Sequence, residues 1–177
     1  MISAAHRVRL FLAPGASGGL ASLDPYLQGL TGRGIDATGV ELPRGSAERA
    51  VPAYLRQSGT GPSVVVGGRS FGGRVASLAA ADPANEFGGL LLFAYPLHRP
   101  GFPEQLRTEH WPRIRCPVLI VQGEADPFGS PDELQREAAR LRDVRVVTLP
   151  GTGHSLKEGL DAALDAALDA AAAWLRG

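Results

Sequence analysis

Gly68-Arg69-Ser70-Phe71-Gly72 places a serine between two glycines in the spacing G-x-S-x-G. A serine hydroxyl becomes a useful nucleophile when a base within hydrogen-bond reach takes its proton and a carboxylate orients that base. Candidates for both partners lie downstream. His154 ends the glycine-rich run Gly151-Thr152-Gly153-His154, and Asp126 sits in Gly123-Glu124-Ala125-Asp126-Pro127, where the proline holds it. Glu124 competes for the acid role, but the loop-tip position of Asp126 is better suited to reaching an imidazole. The remaining histidines fit less well: His6 precedes the first apolar run, and His98 and His110 fall in a proline-rich stretch. A reaction through a tetrahedral oxyanion also needs two fixed N–H donors. Phe71, directly after the serine, supplies one; Ala16, in Pro14-Gly15-Ala16-Ser17-Gly18-Gly19, is the first choice for the other and Ser17 the second.

These residues need elements to carry them. Ser63 to Gly67 is a β-branched run suited to a buried strand, and Val75, Leu78 and Ala79 have helical spacing. A strand that turns straight into a helix through G-x-S-x-G is a nucleophile elbow, with the serine in a strained backbone conformation and no room for side chains two residues to either side. A phosphate loop is excluded, because Arg74 and Val75 stand where Lys and Ser or Thr would follow the glycines. Further strands are expected at Val8 to Ala13, Ala37 to Leu42, Gly89 to Ala94, Pro117 to Gln122 and Asp143 to Leu149. Helices are expected at Leu20 to Leu30, at Ala47 to Gln57 with Ser46 as N-cap, from the serine to about Ala81, at Pro131 to Leu141 and at Leu156 to Leu175. In the last of these Leu156, Leu160, Leu164 and Leu168 form a stripe for packing on a sheet. Tyr95 to Pro112, with four prolines, reads as an irregular loop over one end of the sheet. Alternating apolar strands and helices imply an α/β fold: a mostly parallel sheet of about six strands, helices on both faces and no large lid. In such a sheet Ala16, Ser70, Tyr95, Asp126 and His154 all follow strands at the carboxyl edge, where ligands bind.

The whole chain, residues 1–177, reads as one domain. Lys plus Arg and Asp plus Glu number 18 each, so net charge gives no footprint for nucleic acid or an anionic membrane, and a small, roughly neutral substrate fits better. The single cysteine, Cys116, excludes an internal disulfide and reads as a buried structural thiol. His98 and His110 lack metal-ligand spacing, and no cofactor motif is present. The only apolar run near the N-terminus ends at Pro14, too short for a signal peptide or membrane helix, and a cytoplasmic location is the default expectation. Tyr95, His98, Trp111 and Phe128 are candidates to line a substrate pocket, with core packing as the alternative for the aromatics. Arg69 and Arg74 flank the serine and either bind a substrate carboxylate or are solvated or structural.

The order Ser70, Asp126, His154 and the motifs around them resemble a compact bacterial α/β-hydrolase of the dienelactone-hydrolase-like kind. The resemblance rests on Ala13-Pro14-Gly15-Ala16-Ser17-Gly18-Gly19, on Gly67 to Arg74, on Tyr95-Pro96-Leu97-His98, on Gln122 to Phe128 and on Gly153-His154. It implies a serine hydrolase acting on small esters, with Ser70, His154 and Asp126 as the triad. Two departures are visible. Pro14-Gly15 stands where family members often have His-Gly, and dienelactone hydrolases themselves carry a cysteine at the elbow, so Ser70 argues against that specific reaction. Competing readings are a thioesterase or acyltransferase using the same triad, and a noncatalytic binding or scaffold protein on the same fold.

Overall fold

The computed structural model describes residues 8–156 and 161–177. Six strands, β1 (Arg9–Ala13), β2 (Asp36–Gly39), β3 (Gly61–Arg69), β4 (Phe87–Phe93), β5 (Val118–Gly123) and β6 (Val144–Leu149), form one sheet in the order β2-β1-β3-β4-β5-β6. Every neighbouring pair is parallel. Five helices connect or follow the strands: α1 (Asp24–Gly32), α2 (Ala47–Ser58), α3 (Phe71–Ala81), α4 (Pro131–Ala138) and α5 (Asp161–Arg176). Among the described residues no helix is long and apolar enough to cross a membrane.

Successive residues of a strand face opposite sides of a sheet, and the strands here are apolar on both. Val64, Val66, Leu90, Leu92 and Ile120 pack on one side with Tyr54 of α2, Val75 of α3 and Leu134 of α4. Val65, Leu91, Phe93, Leu119 and Val121 pack on the other with Tyr26 and Leu30 of α1 and Leu168 of α5. Burial of this double layer is the main driving force for the fold, at roughly 25 cal/mol per Å² of apolar surface.

The differences from the expected elements have local causes. The Leu20 to Leu30 helix is divided into a 3₁₀ turn, Leu20–Leu23, and α1, because Pro25 lies in the first turn of α1, where its missing N–H costs nothing. β2 stops at Gly39 rather than Leu42; it is an edge strand with one partner, and Val40 makes a last bond to Leu12 O. β3 runs on to Arg69 because β1 and β4 pair with its glycines from both sides. α4 ends at Ala138, although Leu141 beyond it is still buried. Leu156 is buried in a turn with φ 55°, not in a helix, and Leu160 lies outside the described residues. Ser46 caps α2 as expected, accepting from Arg49 N–H.

The strand order fixes where a site can form. The chain steps from β1 outward to β2 and returns on the far side of β1 to β3, so the connections leaving β1 and β3 diverge to opposite faces. The carboxyl ends of β1 and β3 therefore open a crevice at the switch point. Tyr54 locks these two strands together: its hydroxyl accepts from Gly67 N–H at 2.8 Å and donates to Phe11 O at 2.7 Å. Complete burial drives its phenol well above its ordinary range.

Candidate active site

At the end of β3 the chain turns into α3 through Ser70, a non-glycine residue at φ 50° and ψ −114°. That conformation is strained for an L-residue and survives when the surroundings enforce it. The surroundings here are backbone on all sides. A Cβ on Gly68 would collide with Gly72 and Gly73, and one on Gly72 would collide with the Ala13 and Pro14 carbonyls of the neighbouring loop. The two glycines of the motif are thus required by close approach of three backbone segments.

The turn aims Ser70 at His154, with 2.9 Å between Ser70 Oγ and His154 Nε2. His154 Nδ1 lies 2.8 Å from Asp126 Oδ2. The Asp126 side chain is fully buried and that of His154 is 18% exposed, so the carboxylate is cut off from water while the imidazole edge is not. Asp126 is held from three directions. It accepts from Gln122 Nε2 and from Phe128 N–H, each at 2.8 Å, in addition to His154. A carboxylate without a proton only accepts, so His154 carries its hydrogen on Nδ1; Nε2 is then free to accept from the Ser70 hydroxyl. The Phe128 ring stacks on the imidazole at 4.1 Å between centroids. Glu124, the rival acid, is exposed and takes no part in this chain of bonds.

Ala16 and Phe71 line the same cleft as Ser70 and His154. Phe71 is the first residue of α3, where the N–H has no partner within the helix and the helix dipole is positive. The cleft has two lobes sharing Ala16, Ser17, Gly45 and Phe71. One, of about 490 Å³, is lined by Leu20, Leu42, Pro43 and Phe71 together with Glu41 and Arg44. The other, of about 500 Å³, contains Ser70, His154, Phe128 and Pro96 with four arginines, Arg69, Arg74, Arg99 and Arg107.

Of the four residues expected to line a pocket, Phe128 does so and the other three do not. Tyr95 and Trp111 are wholly buried and pack against each other with tilted rings, 5.1 Å between centroids, belonging to the core between sheet and α3. Tyr95 donates to Arg107 O at 2.7 Å, and burial pushes its phenol up to about 12. His98 is buried too: its Nδ1–H donates to Arg99 O at 2.7 Å and its Nε2 lies 3.3 Å from Glu133 of α4. These side chains fix the course of the loop rather than face a ligand. His110, not assigned a role from the sequence, sits below the elbow with Nε2 2.8 Å from Ser77 Oγ of α3. Burial, reinforced by Arg113 and Arg74, pushes its pKa down to about 4.

Gln122, Arg99 and Arg107 went unmarked in the sequence. Gln122 left one signal, a polar side chain closing the apolar run Val118-Leu119-Ile120-Val121. Arg69 donates from Nη2 to the His154 carbonyl at 3.3 Å and therefore bridges the elbow to the histidine loop. Burial raises the Cys116 thiol to about 11, which disfavours the thiolate. Among the described residues no group of three or more His, Cys, Asp or Glu side chains could hold a metal ion.

Residues 45–174 match the family described as an alpha/beta hydrolase domain. The fold is similar to that of a monoacylglycerol lipase from Paleococcus ferrophilus, with TM-score 0.78, 14% identity, and coverage of 94% of this chain and 93% of the lipase. It is also similar to Est1E from Butyrivibrio proteoclasticus, solved with ferulic acid bound, at TM-score 0.75 and 14% identity over 96% of this chain and 88% of that one. A thermophilic esterase from Thermogutta terrifontis, solved with propionate bound, gives TM-score 0.75 and 19% identity over 96% of this chain and 82% of the esterase.

Proposed function

The chain belongs to the family of alpha/beta hydrolase domains, and from that premise we propose that it is a serine hydrolase cleaving small carboxylic esters through an acyl-enzyme on Ser70. The observation that carries this reading is the unbroken hydrogen-bond chain from Ser70 Oγ through His154 to the buried Asp126. The names of the esterases and lipases that share the fold agree with it. The serine at the elbow sets the reaction apart from that of dienelactone hydrolases, while the elbow, acid-turn and histidine-loop motifs keep the chain near that kind of protein.

In the first half-reaction Ser70 Oγ attacks the ester carbonyl as His154 Nε2 takes its proton. The carbonyl electrons move onto oxygen, where the N–H groups of Phe71 and Ala16 receive the charge; each such donor is typically worth ~10²- to 10³-fold in rate. Collapse of the intermediate breaks the bond to the alcohol oxygen, which takes the proton from His154, leaving the acyl group on Ser70. Water then repeats the sequence, with His154 again base and then acid, and releases the carboxylic acid. Asp126 remains ionised throughout, holding the tautomer and stabilising the imidazolium. The expected setting is the cytoplasm, with a small-molecule ester as partner and neither nucleic acid nor membrane.

The test is intact mass after incubation with a fluorophosphonate probe, comparing the native chain with Ser70→Ala and His154→Ala. One adduct on the native chain, lost in both variants, is the expected result. An adduct that survives Ser70→Ala places the nucleophile elsewhere. No adduct on the native chain favours a binding protein on this fold.

A further inference from the structure

The chain carries no net charge, yet one lobe of the cleft gathers arginines. Arg69 donates from Nη2 to the His154 carbonyl at 3.3 Å, with its Nε buried and unpartnered, and Arg74 is paired through Nη2 with Glu48 at 3.0 Å. Arg99 and Arg107 make no ion pair with a carboxylate among the described residues. Arg74 Nε is buried without a hydrogen-bond partner. Three guanidinium groups facing one cavity repel one another unless something balances them; the residues lining this lobe include no carboxylate, and among the described residues the ion pair recorded for the three is Arg74 with Glu48. Burial is the first cause that lowers the pKa of Arg107, and the nearness of Arg74 and Arg99 pushes the same way.

The arrangement is also held firmly. The loop carrying Arg99 and Arg107 is bonded to itself by Arg107 N–H to Leu97 O at 2.8 Å. It is bonded to the body through Tyr95, whose hydroxyl grips the Arg107 carbonyl, and through His98, which grips the Arg99 carbonyl beside Glu133. Thr108 donates to Glu137 of α4, to which Arg140 also bonds. A loop fixed by its buried polar residues presents its arginines at defined places, which suits planar recognition of a carboxylate or phosphate.

The lobe also determines which half of an ester it would receive. His154 must hand its proton to the leaving oxygen, so the alcohol portion lies beside the imidazole, and the imidazole and Phe128 wall the arginine lobe and not its neighbour. The acyl portion then falls to the lobe with Leu20, Leu42 and Pro43. We propose that the substrate is an ester whose alcohol portion carries an anionic group, a carboxylate or a phosphate, bound by Arg74, Arg99 and Arg107. This rests on the hydrolase reading above and assigns the substrate class of that same site.

The experiment compares kcat/KM for para-acetoxybenzoate and its neutral methyl ester, whose leaving phenol is the more acidic so that the electronic bias runs against the expected preference, and for para-acetoxyphenyl phosphate. A second pair, phenyl hydrogen glutarate and phenyl butyrate, puts the carboxylate on the acyl side instead. The expected result is a preference of about tenfold or more for the anionic leaving group, the scale of one charge-assisted hydrogen bond. That ratio should fall by about tenfold in Arg107→Gln and in Arg99→Gln, stay the same in Arg136→Gln on exposed α4, and shrink as salt is raised. The carboxylate and phosphate arms tell which anion fits. A native chain that prefers neutral esters, or prefers the anion on the acyl side, overturns the proposal while leaving Ser70 as nucleophile. Calorimetric titration of para-hydroxybenzoate and of inorganic phosphate into Ser70→Ala protein reads the lobe without turnover. Binding that Arg107→Gln abolishes supports the anion site even if no ester is cleaved, and absence of binding by both anions overturns it even if esters are.

Discussion

The elbow between β3 and α3 and the loop of residues 95–112 between β4 and β5 meet across one cleft, but different forces hold them. At the elbow the determinants are backbone contacts: Ser70 sits at φ 50° because Gly68 and Gly72 let the ends of β1, β3 and α3 touch. In the loop the determinants are buried side chains, Tyr95, His98, His110 and Trp111, each plugged into the sheet, α3 or α4. The elbow positions the Ser70 hydroxyl against His154, and the loop positions charges. Residue types that usually signal chemistry, histidine and tyrosine, are scaffold in the loop, while its arginines face the cleft.

The contrast breaks most sharply at the proposed nucleophile. Ser70→Ala is expected to lower kcat on an activated ester by about 10⁴-fold or more with little change in stability, leaving what the oxyanion donors and binding still provide. Loss of activity together with a large fall in the urea midpoint would mean that the elbow serves folding first. Gly72→Ala is the complementary test. Its added methyl meets the Ala13 and Pro14 carbonyls, which cannot rotate away as a side chain would. We expect about 3 kcal/mol of destabilisation, the upper end of usual overpacking costs, read as a lower denaturant midpoint at unchanged slope. A cost near zero would show that the three segments are free to separate.

This contrast also explains what was legible in the sequence. The element order, the parallel sheet and the elbow follow from apolar runs, punctuation by glycine and proline, and a steric requirement local to five residues. The meeting of Asp126 and His154 with Ser70 was legible because topology delivers the loops after β5 and β6 to the same sheet edge as Ser70. The loop was not legible, because nothing in Tyr95-Pro96-Leu97-His98 states which of its side chains turns inward. Burial decided that, and it placed Tyr95, His98 and Trp111 in the interior. Arg99 and Arg107 carry no signal in the sequence, because an isolated arginine in a loop has no periodicity to betray its partners.

On the loop side, pH tests the scaffold role of His110. Ser77 Oγ donates to Arg74 O at 2.8 Å, so it accepts from His110 Nε2–H, and the neutral ring is the one that fits. Burial is the first cause of its pKa near 4; Arg113 and Arg74 push the same way, and Glu109 and Glu48 oppose them. In the unfolded chain the ring titrates near 6.5, so between the two values the unfolded state binds more protons. Its contribution is therefore complete above pH ~6.5 and is lost as pH falls towards ~4, a loss of up to about 3 kcal/mol. Urea midpoints across that range should fall for the native chain and fall less for His110→Gln. Identical pH slopes in the two would mean that the histidine is not sealed beneath the elbow.

The smallest effect is expected where the two regions share a residue type. Arg69 and Arg107 face the same lobe, but Arg69 stands next to Ser70 in the chain and spends Nη2 on the His154 carbonyl. Its Nη1 lies so close to Gly15 that a Cβ there would come within 2.8 Å, which puts one guanidinium against the loops after β1 and β6 at once. A brace of this kind acts on the geometry of His154 and not on the substrate. Arg69→Met, which keeps the bulk and removes the hydrogen bond, should lower kcat by roughly tenfold, in keeping with one lost bond from a charged donor, with KM unchanged for neutral and anionic esters alike. If instead KM rises for the anionic esters alone while kcat holds, Arg69 belongs with Arg99 and Arg107 as a substrate ligand, and the elbow positions charge as well as the reacting oxygen.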